Sequence, residues 1–157
     1  MRSSRILFIA AVLGVATYSP ISAANAQAPA KAHADRQGIV WGPAPATLPG
    51  AEIAVLDGNP GQPGPFTLRL RFPNGYKIQP HTHPTVENVT VLSGTFLKGM
   101  GTRFVETELQ PLERDGFATI PANHPHYAMA RGVTVVQVHG IGPFTLTYVD
   151  PATAVAR

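Results

Sequence analysis

The sequence contains no cysteine. No disulfide can staple it, so its stability must come from a packed core. Charge is sparse and close to balanced, with 12 Lys and Arg against 9 Asp and Glu. Two of the basic residues, Arg2 and Arg5, lie in an N-terminal segment that reads as removable. Without it the net charge falls to about +1. The basic isoelectric point therefore carries no message about nucleic acid, and there is no basic stripe, so no nucleic-acid partner is expected. Long apolar runs are also missing. The longest, Ile6 to Val15, has ten residues, too few to span a hydrocarbon core about 30 Å thick. No Arg-Arg pair marks a twin-arginine signal. Ser93 has no His-Asp signature around it, and the Gly-rich pieces lack the following helix of a phosphate loop. No window has a sustained helical period, and nothing repeats at fixed spacing.

What is present begins with a positive start, the short apolar run, and small residues around Ala24-Asn25-Ala26 and Ala26-Gln27-Ala28. These predict a secretory signal peptide over residues 1–26 and a periplasmic or secreted protein. The alternative, an N-terminal membrane anchor, is opposed by the shortness of the run. After cleavage no membrane span is expected. Residues 27–49, rich in Ala, Pro and Gly, read as a linker leading into an arm that starts near Gly38, with Ile39, Val40 and Trp41 available to pack it down. From residue 50 the pattern is β. Phe66, Leu68, Leu70 and Phe72 alternate with Thr67, Arg69 and Arg71, so one face is buried and one is wet. Strands are predicted over 51–56, 66–72, 76–80, 86–92, 95–100, 103–109, 116–121, 126–131, 133–139 and 144–149, with Gly or Pro at most joins. So many short strands make an all-β sandwich or barrel, and a rolled sheet protects their edges. Residues 151–157 read as a tail.

The strongest chemical feature is His81-Thr82-His83. Residues i and i+2 of a strand point to one side, so both imidazoles can converge on one ion. Glu87 lies on the same strand face as Val89 and Val91. An inward carboxylate there needs a partner, either a metal held by the histidines or a cation such as Lys77 at the rim. A second cluster, Pro121-Ala122-Asn123-His124-Pro125-His126, offers one more inward imidazole. His124 and His139 are candidates for the pocket or its surroundings, with Tyr127 beside them. Phe96, Phe104, Phe117 and Phe144 are expected in the core or lining the pocket.

These residues resemble the cupin superfamily, in the form of a small single-domain exported cupin. Gly75, His81, His83, Glu87 and Gly94 meet every spacing of the first cupin motif, and Gly116, Pro121 and His126 follow the second. Two positions depart from it. Asn123 replaces a Gly, which the turn can tolerate because Asn accepts positive φ. Ala130 replaces an Asn, which removes a polar group near the site. The resemblance implies a double-stranded β-helix, or jelly-roll barrel, over residues 50–150. It also implies that His81, His83, Glu87 and His126 bind one divalent metal with open coordination positions.

The function expected from this resemblance is binding of, or action on, a small oxygenated molecule at a 3-His-1-Glu metal site. Dioxygenase, decarboxylase and isomerase chemistry all remain open, as does a non-catalytic ligand- or metal-binding module. Zn, Fe, Mn and Cu remain open as the metal. Loading after export would favour Cu or Zn by intrinsic affinity. The resemblance also implies pairing into a homodimer through edge strands.

Overall fold

The computed structural model describes residues 38–152. The signal peptide expected over residues 1–26, residues 27–37 of the linker and the end of the tail lie outside the described residues. Among the described residues nine strands form one antiparallel sheet: β1 (Gly42–Pro43), β2 (Glu52–Asp57), β3 (Gly64–Phe72), β4 (Lys77–Thr82), β5 (Glu87–Met100), β6 (Gln110–Leu112), β7 (Phe117–Ile120), β8 (His126–Gly142) and β9 (Thr147–Tyr148).

Two long strands organise the roll. β5 and β8 pair with each other from Asn88↔His139 to Met100↔His126. The second half of β8 continues through β3 and β2 to β1, while its first half continues through β4 to β9. On its other edge β5 pairs with β7 near its start and with β6 near its end. The long strands thus run through both halves of the sheet, and each turns the corner at a glycine, Gly94 or Gly132, both at φ 73°. At Gly94 a side chain would also collide with its neighbour: an added Cβ would lie 2.5 Å from Thr134 Oγ1 and 2.6 Å from Val133 O. The pleat locally breaks here, with register shifts between Val91 and Thr95.

The alternation read in β3 holds. Phe66, Leu68 and Phe72 are buried, whereas the Arg69 guanidinium donates to Gln137 and Arg71 pairs with Glu52 at 2.8 Å on the outer side. Phe72 meets Phe96 and Tyr76 ring to ring, and Val89, Val91, Val136 and Val138 complete the core. Burying each such side chain contributes about 1.5–3 kcal/mol. The arm before residue 50 belongs to this unit: β1 pairs with β2, Leu48 and Ala51 join the core, and Trp41 lies under the Arg71 guanidinium. Val40 remains exposed.

Several predicted strands merge or shrink. Segments 86–92 and 95–100 are one strand, as are 126–131 and 133–139, because a glycine can bend a strand without ending it. The strand expected over 103–109 is instead a loop with a 3-10 turn at Glu106–Glu108. Phe104 satisfies its apolar signal by packing on Tyr127, and the ladder moves on to β6. Phe117, expected inside, is exposed on the outer face. Of 144–149 only Thr147–Tyr148 pairs as a strand, since the preceding residues are engaged elsewhere.

Candidate metal centre

β4 delivers His81 at its end and His83 just beyond it, and the start of β8 delivers His126 directly opposite His81 in register. The first residue of β5 is Glu87. All four residues are buried, none more than 8% exposed. The three histidines each bring a ring nitrogen within 4.8 Å of the others. Their ring centroids lie 4.1 Å apart for His81 and His126, 5.0 Å for His81 and His83, and 5.3 Å for His83 and His126. Glu87 Oε2 lies 3.2 Å from His126 Nε2 and 3.7 Å from His83 Nε2. Lys77, the alternative partner for Glu87, turns away and pairs with Glu106 at 3.0 Å.

The outward nitrogen of each ring decides what the inward one can do. Nδ1 of His81 lies 2.7 Å from the Gln79 carbonyl, Nδ1 of His83 lies 2.7 Å from that of Thr145, and Nδ1 of His126 lies 3.0 Å from that of His124. A carbonyl only accepts, so each Nδ1 carries the proton and donates. Each Nε2 is then a lone pair aimed at the centre, the tautomer a metal needs. In two of the three cases the carbonyl comes from two residues before the histidine.

Protonation is disfavoured at two of these rings. Burial pushes His81 well below the ordinary histidine value, and repulsion from His126 and His83 adds to the effect. Burial also lowers His83, outweighing the Glu87 carboxylate and the Thr145 carbonyl, which act the other way. Three inward ring nitrogens and the Glu87 carboxyl group therefore converge in a buried site. A cation between them satisfies the arrangement, so the donor set fits a divalent metal.

A turn locks the second cluster in place. Asn123 sits at φ 58°, as the motif's Gly position requires, and its N–H donates to the His83 carbonyl at 2.7 Å. Ala130, which replaces the motif's Asn, is buried, and its N–H donates to the Tyr76 carbonyl at 2.9 Å. The hydrogen bonds around the imidazoles are thus made by main chain. Phe144 stacks on His83 with ring centroids 4.1 Å apart and planes 14° from parallel.

The centre opens on a cavity of about 390 Å³. All four residues line it, with Phe96, Phe144 and side chains from β2, β3, β5 and β8. Pro45, Thr47 and Leu48 also line it, a role for the arm that its Ala/Pro-rich composition did not signal. The other sequence candidates lie outside the lining. Tyr127 alternates with His126 and Ala128 along β8, so it points away; its hydroxyl donates to the Val105 carbonyl. His139 is exposed on the outer face beside Phe117, opposite in pleat to Val138. The His124 side chain is exposed in the turn, and its carbonyl is what reaches the site. Sequence reasoning did not find the three carbonyl partners, the stacking of Phe144 on His83, or the arm's place in the cavity lining.

No family model and no curated protein matches the sequence. Solved structures do match the fold. An RmlC-like cupin from Shewanella frigidimarina aligns with a TM-score of 0.56 at 12% identity, covering 71% of this chain and 91% of the other. KdgF from Halomonas aligns at 0.55 and 18% identity, covering 70% and 94%. The polyketide cyclase RemF from Streptomyces resistomycificus aligns at 0.60 and 15% identity, covering 74% and 83%. The chain has the cupin fold.

Proposed function

We propose that this cupin-fold chain is a metal-dependent protein for small oxygenated molecules, with His81, His83, His126 and Glu87 holding one divalent ion. The observation that carries the reading is the set of three Nδ1 donors tied to main-chain carbonyls, which leaves three Nε2 lone pairs and one buried carboxylate converging beside a cavity. A bound metal would supply Lewis-acid or redox chemistry to an oxygen donor of a ligand. The histidines hold their orientation through the carbonyls, Glu87 brings negative charge to the centre, and the apolar walls exclude water. That the fold neighbour RemF is a polyketide cyclase supports an enzymatic reading. Export to the periplasm or beyond, proposed from the first 26 residues, would place metal loading outside the cytoplasm.

One observation favours a second reading, a binding module that leaves its ligand unchanged. Besides the four site residues, no residue lining the cavity among the described residues carries a titratable side chain, so none of them offers a separate proton shuttle to the ligand. Elemental analysis of protein purified from its native compartment, wild type beside His81→Ala, tests the shared premise. One metal per chain, lost in the folded variant, is expected; a metal-free wild type that also takes up no Zn, Fe, Mn or Cu ends both readings. Turnover or its absence for a co-purifying ligand then separates them.

A further inference from the structure

The walls of the cavity say more about the ligand than the four site residues do. Among the described residues, apart from those four and two threonines, Thr47 and Thr145, every lining side chain is apolar. No Lys or Arg is among them, although β3, which forms one wall, carries two arginines. The pleat sends both outward, where Arg69 donates to Gln137 and Arg71 pairs with Glu52, and presents Leu68, Leu70 and Phe72 to the cavity. A phosphorylated or polycarboxylate ligand would bury charge far from any counter-ion except the metal. A sugar would fare little better. The Thr145 carbonyl is taken by His83 and the Thr47 carbonyl by the Tyr148 hydroxyl, so buried hydroxyls would lose water without finding enough partners. The volume of about 390 Å³ nonetheless leaves room for a body well beyond the oxygens that would meet a metal. The far end is hydrocarbon: Val136 and Phe72 lie further along the barrel than Val138, which pairs with Val89 two residues from Glu87.

We propose that the cavity takes an uncharged, hydrocarbon-rich molecule that carries its oxygen donors at one end, the oxygens at the His81/His83/His126/Glu87 centre and the body along the Leu68/Leu70/Phe72 wall. This rests on the metal reading above and specifies the class of molecule it serves.

Straight-chain hydroxamates test it, because two oxygens at one end bind a metal while the tail length varies. Affinities for the zinc-loaded full chain, measured from acetohydroxamate to octanohydroxamate, are expected to rise about fourfold per methylene until the cavity is filled. A tail ending in carboxylate is expected to bind at least about tenfold more weakly than its methyl counterpart. Val136→Phe is expected to end the gain at a shorter tail with zinc content unchanged; the wild-type series stands alone should that variant not fold. Affinities that stay flat along the series, or a carboxylate tail that binds as well as a methyl one, overturn the proposal while acetohydroxamate binding that requires His81 keeps the metal reading intact. A wild type that takes up no zinc and binds no acetohydroxamate overturns the metal reading and this proposal with it.

Discussion

Phe144 lies nearly flat against His83, 4.1 Å between ring centroids, while the next carbonyl along the chain, Thr145, accepts the hydrogen bond from Nδ1–H of the same imidazole. One short segment therefore sets both the plane and the tautomer of a candidate ligand, and walls the cavity beside it. This explains why 144–146 does not join the sheet as the sequence predicts. Its backbone is engaged with the site and not with a neighbouring strand.

Replacing that ring should loosen the imidazole without removing a ligand. Phe144→Ala is expected to weaken metal affinity about tenfold, the lower end for residues that orient ligands from behind. It should also cost about 1–3 kcal/mol of stability, less than a fully buried Phe because the ring is partly open. Phe144→Leu should recover most of the stability and little of the affinity. Chelator competition and denaturant unfolding measure the two effects; unchanged affinity in Phe144→Ala would deny the ring any part in orienting His83.

Glu87→Gln separates a ligand from a mere buried carboxylate. The amide keeps the shape and adds a donor facing the lone pair of His126 Nε2, 3.2 Å away in the wild type. Without metal the variant should be at least as stable as the wild type, by up to about 1 kcal/mol. With metal it should be the less stable of the two, because binding to the native state is what stabilises it. Melting temperatures with and without chelator test this; equal metal stabilisation in both proteins would remove Glu87 from the ligand set.

Acid should destabilise the metal-free chain. Both His81 and His83 have folded-state values below the ordinary 6.5. Above pH 6.5 neither folded nor unfolded chain protonates them, and their contribution to stability is fully present. As pH falls below 6.5 the unfolded chain takes up protons first, so stability drops, by at most about 2.7 kcal/mol per pH unit for two groups, until the folded values are reached. Denaturant unfolding in the presence of chelator between pH 8 and about 5 checks the slope. Stability that rises toward acid would contradict the burial of neutral rings. Metal affinity should fall in the same direction, since protons compete for the ligands.

The two sheet corners offer a matched pair. Gly94 and Gly132 share φ 73°, but an added Cβ is crowded by Thr134 and Val133 at the first and meets nothing within 4 Å at the second. Gly132→Ala should cost about 1 kcal/mol, the strain of positive φ alone. Gly94→Ala should cost at least about 1–2 kcal/mol more, since backbone and a fully buried Thr134 must shift. Equal losses would mean that the corner at Gly94 has slack.

Much of the fold was legible because its signals are local. The two-residue alternation in β3 and the start of β5 needs only the pleat; it correctly put Leu68 inside and Arg69 outside, and set Glu87 on one face with Val89. Asn123 stands where the cupin motif usually has Gly, and Asn tolerates the positive φ found there. Misreadings arose where an apolar residue had another way to be buried or where the pleat phase was ambiguous. Phe104 packs on Tyr127 from a loop, Phe117 faces out, and Tyr127 and His139 fall on the side opposite the cavity.

From the sequence alone, the all-β class, the buried faces of the clearest strands and the convergence of His81 and His83 could be settled, because each depends on residues adjacent or two apart along one strand. The cupin resemblance named His126 as their partner; how near Glu87 comes and which carbonyls hold the rings depended on the tertiary structure. Those answers depend on register between strands far apart in the chain, His81 opposite His126 and Thr145 folded back over His83. Register is set by how the whole core packs, and no local pattern encodes it.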